Sequence, residues 1–168
     1  NPIYIGKREN ISGNPNIYPG QMADVRIYNR ALTSAEVFNI YSPSNLITQG
    51  VITGTDKKLP VVHYKFDKDI DYKSVSDSVP TDNLLVWLKF DESSGTTAND
   101  SSGNDNHGTL GDGSNSSTYP TLTATGYDGT VNGAYSFDGT DDYIDLSSHG
   151  NALADFSNGF SFTGWIKW

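Results

Sequence analysis

The chain has 168 residues, no cysteine and a net charge of −9. The charge is lopsided: residues 75–168 hold 13 acidic and 2 basic side chains, while residues 1–74 hold 7 acidic and 9 basic. This excludes a disulfide framework and argues against nucleic acid or a bare anionic membrane as partner, because an acidic surface repels both.

Glutamate occurs only at Glu9, Glu36 and Glu92; the other 17 acids are aspartates, which favour turns over helices. Gly, Ser, Asn and Thr supply 66 of the 168 residues, too many breakers and polar turn-formers for an α-rich protein. Aromatic residues at 12% are too many for a disordered chain. The expectation is an all-β protein with many loops. No apolar run approaches the ~20 residues of a membrane helix, so membrane insertion is not expected.

In chain order, Ile3–Gly6 reads as a short strand stopped by glycine. MADVRIYNR alternates, with Val25 and Ile27 on one face and Asp24, Arg26 and Tyr28 on the other, as a half-buried strand does. ALTSAEVFNIYSP follows. Thr33 and Glu36 have the spacing of a capping box, Leu32 and Val37 that of a hydrophobic staple, and Pro43 stops the turn. One short helix is predicted near 34–41. Residues 43–83 read as a linker with an extra strand at 61–67 (VVHYKFD). That strand repeats LLVWLKFD, 84–91, at an offset of 24, a weak internal repeat that two amphipathic strands can also produce by chance. From Ser93 to Thr125 the chain is mostly turn residues. Strands resume at 133–139 (GAYSFDG), 141–146 (DDYIDL) and 160–168 (FSFTGWIKW).

Two stretches carry a family resemblance. IYIGKREN followed by PGQMADVRIYNRALTSAEVFNIYS resembles the closing signature of the laminin-G-like (LamG-like, concanavalin A-like lectin/glucanase) family: an Ile-Gly strand, a glycine, an acidic-and-Arg strand, then a short helix. LLVWLKFDESSGTTANDSSGNDNHGTL, GAYSFDGTDDYIDL and FSFTGWIKW resemble its opening signature. The matches cover residues 3–42 and 84–168, in reversed order and without the family's middle strands. The resemblance implies an antiparallel jelly-roll β-sandwich. It divides the chain into the C-terminal part of one such domain (1–42), a linker (43–83) and the N-terminal half of the next (84–168), a window on a tandem array. Strand exchange between chains is the alternative source of the missing strands. Neither half is expected to be stable alone, since each leaves edges and a core face uncovered.

The residues that bear on function are few. Asp138, Asp141 and Asp142 put three carboxylates within five positions, with Gly139 allowing a tight turn. Such a set offers several oxygens to one calcium ion, or is a hairpin turn with solvated acids. Related jelly rolls hold calcium near such loops. Asp100, in DSSGNDNHG, either braces its own turn or joins the same metal. His107 in that loop reads as a solvent-exposed residue. Trp87 and Trp165 are expected in the core; Tyr119, Tyr127 and Tyr143 are the candidates for stacking on a sugar ring. Catalysis is not expected: no strand presents two alternating glutamates of the kind glycosidases use, there is no cysteine, and there is no phosphate loop or nucleophile elbow. The resemblance implies a non-catalytic extracellular module for adhesion or carbohydrate binding, in a larger surface or secreted protein of prokaryotic type. Its partners would be glycans or surface proteins, neighbouring domains or copies of the same chain. A filament subunit assembled by strand exchange and an accessory module of a secreted glycoside hydrolase are the alternatives.

Overall fold

The computed structural model describes residues 3–7, 17–41, 79–123, 125–126, 129, 132–150, 153 and 155–168. The predicted strand at 61–67 lies outside them. The chain divides into two compact units, Asn1–Leu32 with Thr81–Trp168, and Thr33–Pro80.

Within the second unit the described element is a helix, α1 (Ser34–Tyr41). Its start is the predicted capping box. The amide of Glu36 donates to Thr33 Oγ1 at 3.3 Å, and Thr33 N donates to Glu36 Oε2 at 2.8 Å, so two orphan donors of the first turn are satisfied reciprocally.

The first unit is built of strands: β1 (Tyr4–Ile5), β2 (Pro19–Tyr28), β3 (Leu84–Leu88), β4 (Thr97–Ala98), β5 (Gly108–Leu110), β6 (Thr121–Leu122), β7 (Tyr135–Asp138), β8 (Ile144–Asp145) and β9 (Ser161–Lys167). They form two antiparallel sheets. One runs β1-β8-β5-β4. The other is organised around β2. Met22 pairs with both Tyr135 and Ile166, and Ile27 pairs with both Val86 and Phe162. Opposite edges of β2 are therefore filled by β9 on one side and by β7 and β3, end to end, on the other. β6 extends the sheet beyond β7.

The two sheets share one core. Ile5, Ala98, Leu110 and Ile144 from the first meet Met22, Val25, Ile27, Val86, Leu88, Tyr135 and Phe137 from the second, with Phe90 and Leu146 between. This is an all-β sandwich. Strands from residues 1–32 and from residues 81–168 thus complete each other: β1 pairs with β8, and β2 pairs with β3, β7 and β9.

Two irregularities set which side chains face inward. In β2, Asp24 and Val25 together oppose Gly164, an extra residue that shifts the β9 register between Ala23 and Arg26. Asp24 takes up the bulge at φ 51, a left-handed conformation that Asp tolerates better than most residues. Every side chain from Met22 to Tyr28 is buried, whereas the simple alternation predicts a half-exposed strand. After β3, Phe90 sits at φ 63, costly for a bulky residue, and its fully buried ring meets Tyr135 edge to face at 5.0 Å.

The tryptophans correct the reading from sequence. Trp87 pairs with Arg26 and Trp165 with Ala23, so both lie on the sheet face opposite Ile27 and Val86, and both are half-buried. The aromatic core is Phe90, Tyr135 and Phe137 instead.

Candidate functional site

β7 ends at Asp138 and the chain turns sharply through Gly139 before β8. Gly139 has φ 77, and a Cβ there would stand 2.8 Å from Pro19 Cβ, so both the backbone and the space demand glycine. Asp138 Oδ1 accepts from Thr140 N at 2.7 Å and from Asp141 N at 3.3 Å, the local bracing that makes aspartate a turn residue. Asp142 Oδ2 reaches back to accept from Asp138 N at 2.9 Å.

This folding gathers three carboxylates. Asp138, Asp141 and Asp142 each offer one oxygen within 4.8 Å of the others; Asp138 is exposed, Asp141 partly buried and Asp142 buried. Their electrostatics diverge. Donation from the Thr140 amide, with help from those of Asp141 and Asp142, holds the Asp138 carboxyl below the usual carboxylate range. Burial pushes Asp142 up, and the neighbouring charges of Asp138 and Asp141 add to the rise. The oxygens that brace the turn are Asp138 Oδ1 and Asp142 Oδ2. Oxygens spaced this way suit a hard cation that binds at 2.3–2.6 Å, and the unmet like-charge repulsion is what such a cation relieves. The three carboxylates are a group that could hold a metal ion.

Asp100 is not in this cluster. Its Oδ1 accepts from Trp87 N at 2.8 Å and Ser102 N at 2.9 Å, and its Oδ2 accepts from Ser102 Oγ at 2.7 Å and Asn106 N at 3.0 Å. Burial raises the carboxyl, but these donations outweigh it and hold the group below its ordinary value. Asn104 and Asn106 add side-chain donations to Leu84 O and Leu85 O, so the loop is stitched to β3. His107 is half-buried and tied into the same loop, its Nδ1 accepting from Asp100 N at 2.9 Å.

Of the three tyrosines, Tyr127 lies outside the described residues. Tyr119 packs against the core cluster. Tyr143 directly follows the carboxylates, and its amide donates to Thr118 O at 3.3 Å, which places the backbone beside Tyr119. The Tyr143 ring meets Tyr4 edge to face at 5.6 Å. Lys7 Nζ sits 3.4 Å from the Tyr143 centroid and 4.4 Å from that of Tyr4. No local pattern marks Tyr4 and Lys7 as neighbours of this loop; the pairing of β1 with β8 brings them there.

Glu92 is a buried acid. Its Oε1 accepts from Asn99 N at 2.6 Å, and its Oε2 has no hydrogen-bond partner among the described residues. Burial, and then the charge of Glu92, push the Tyr135 hydroxyl up.

Comparison of the chain with protein-family models, with curated proteins and with solved structures returns no match.

Proposed function

We propose that the chain is a non-catalytic extracellular module of laminin-G-like, jelly-roll type, serving adhesion or carbohydrate binding within a larger surface or secreted protein. The observation that carries this reading is the group of three carboxylates in the Asp138–Asp142 turn, with their oxygens within 4.8 Å of one another. Calcium held there supplies the counter-charge the turn lacks. Asp142 roots the loop through its bond to the Asp138 amide, and Asp138 holds the turn closed through Thr140. Next to them, Tyr143 and Tyr4 offer ring faces and edges, and Lys7 offers ammonium donors, the mixture of stacking and hydrogen bonding that a sugar requires. Net charge of −9 favours neutral or cationic ligands over polyanions. Binding is passive: a rigid sandwich displays a loop that a cation stiffens.

The test is a glycan array probed with the chain in calcium and in chelator, alongside the D138A/D142A variant. Retention of a glycan set in calcium, lost in chelator and in the variant, supports the reading. Retention unaffected by either removes calcium from it, and the absence of any retained glycan removes the sugar.

A further inference from the structure

Buried polar groups are hydrogen-bonded almost without exception, and a buried charge most strictly of all. The outer face of the β2 sheet departs from that rule at one place. Arg26 lies on β2, opposite Trp87 of β3 on one side and Thr163 of β9 on the other, so it is interior to the sheet and away from its edges. It is 5% exposed, and Thr163 is 8% exposed. The ion pair with Asp24 Oδ1 engages Arg26 Nη2 at 2.9 Å. Nε and Nη1, the larger part of the guanidinium's donors, have no acceptor among the described residues, and the Thr163 hydroxyl has no partner there either. Residues directly opposite across a sheet bring their Cβ atoms within ~5.5 Å, so the open donors and the open hydroxyl share one spot.

We propose that Arg26 and Thr163 form a binding site for a small ligand with a single carboxylate group. Charge selects the class. Arg26 Cζ stands 4.8 Å and Lys89 Nζ 4.5 Å from the centroid of the Trp87 ring, so two cations meet one indole, and Asp24 balances one of them. Asp100, which accepts from Trp87 N, is spent on the donors of its own loop. Water would satisfy the open N–H bonds without meeting the remaining positive charge. A carboxylate does both, and its hydrogen bonds to a guanidinium are charge-assisted and correspondingly strong. The Thr163 hydroxyl can donate to the same group.

Trp87 and Lys89 are half-buried, and the flexible Lys89 stem is what a ligand displaces to reach Arg26. The chain's net charge of −9 disfavours a polyanion at long range, so one carboxylate on an otherwise neutral body is the class the site takes. The inference stands independently of the Asp138–Asp142 turn.

The test is heteronuclear NMR of the chain titrated with acetate and with glucuronate, against glucose and against chloride at matched ionic strength. The reporters are the Arg26 Nε–H, assigned by its contacts with the Trp87 ring, and the Trp87 indole N–H. The expected result is saturable movement of both signals with acetate and glucuronate, and none with glucose or chloride. Thr163→Val, which deletes the hydroxyl at nearly constant volume, should weaken binding of both probes at least tenfold with an unchanged circular dichroism spectrum. Arg26→Lys should abolish it, and Thr163→Val keeps the test decisive if that variant does not fold. Signals that stay in place across the accessible probe concentrations mean that water holds the donors, and overturn the proposal. So does glucose moving them as far as glucuronate, or Thr163→Val binding as the wild type does.

Discussion

Trp87 Nε1 donates a 2.7 Å hydrogen bond to Asp24 Oδ1, joining residues 63 positions apart on the outer face of the β2–β3 pair. Arg26 Nη2 reaches the same oxygen at 2.9 Å, and the Arg26 guanidinium stacks over the Trp87 ring at 4.8 Å. Asp24, at the bulge, is the hub of a cluster that clamps the segment before α1 to the segment from residue 81 on.

Removing either partner has different costs. Trp87→Phe keeps most of the ring and deletes one donor to a charged acceptor, so a loss of about 1.5–3 kcal/mol is expected. Asp24→Ala leaves the Arg26 guanidinium buried without its counter-charge, and about 3–5 kcal/mol is expected. Urea denaturation of the two single variants and the double gives their coupling. Additive losses would mean the pair does not act as a unit.

Asp100 carries a pH signature. Its folded carboxyl lies below its ordinary 3.8, so its ionised form stabilises the fold. That contribution is fully present above the unfolded value and fades as pH falls through the folded one. Asp100→Asn should flatten the loss of thermal stability below about pH 4, and Asp100→Ala should cost about 2–4 kcal/mol at neutral pH, since four donors lose their acceptor. An acid titration of melting temperature for the three proteins checks both.

Gly6 is a second pressure point. At φ 85 it lies under Phe137, and a Cβ there would approach the ring Cε1 to 2.5 Å. Gly6→Ala combines a left-handed alanine with overpacking of a buried ring, and a loss of ~3 kcal/mol is expected by urea denaturation. A change under 1 kcal/mol would show that β1 can shift away from the core without cost.

Asp142 gives the opposite sign from Asp100. Its folded carboxyl is raised, so ionising it works against the fold, and the penalty grows as pH rises through the folded value. In chelator, Asp142→Asn should leave the melting temperature at pH 7 unchanged or raised. In calcium the wild type should gain stability, about 2.7 kcal/mol at a hundredfold excess over its dissociation constant, and the variant should lose that gain. Differential scanning calorimetry in the two buffers decides it.

What local pattern could reveal was mostly revealed. The capping box at Thr33 and Glu36 depends on two side chains three residues apart, and its hydrogen bonds are those the spacing implies. β1, β2, β3, β7, β8 and β9 fall in segments that alternation placed, because alternation is local, although β8 keeps only two of its six expected residues in the ladder; β4, β5 and β6 are two or three residues long, too short to alternate, and lie in the stretch 93–125 that read as turns. Which face of a strand turns inward was less legible. Alternation separates two faces without saying which is covered, and the bulge at Asp24 breaks the alternation itself; Trp87 and Trp165 fell on the wrong side for that reason. Who completes each half could not be read at all. The β2 partners lie some 60 to 145 residues further along the chain, and nothing in PGQMADVRIY names them. For the candidate site, the three aspartates were visible as a run, whereas Lys7 and Tyr4 come to Tyr143 only through the β1–β8 pairing.

The central claim is that the Asp138–Asp142 turn holds calcium, and isothermal titration of calcium into the purified chain tests it most directly. The account predicts one site per chain with a dissociation constant of about 10⁻⁴–10⁻³ M, the range of weak calcium sites. It also predicts that binding weakens as pH falls and Asp142 takes up its proton, and that it is absent from the D138N/D141N/D142N variant. A chain that takes up no calcium at millimolar concentration, or a variant that binds as well as the wild type, would contradict it.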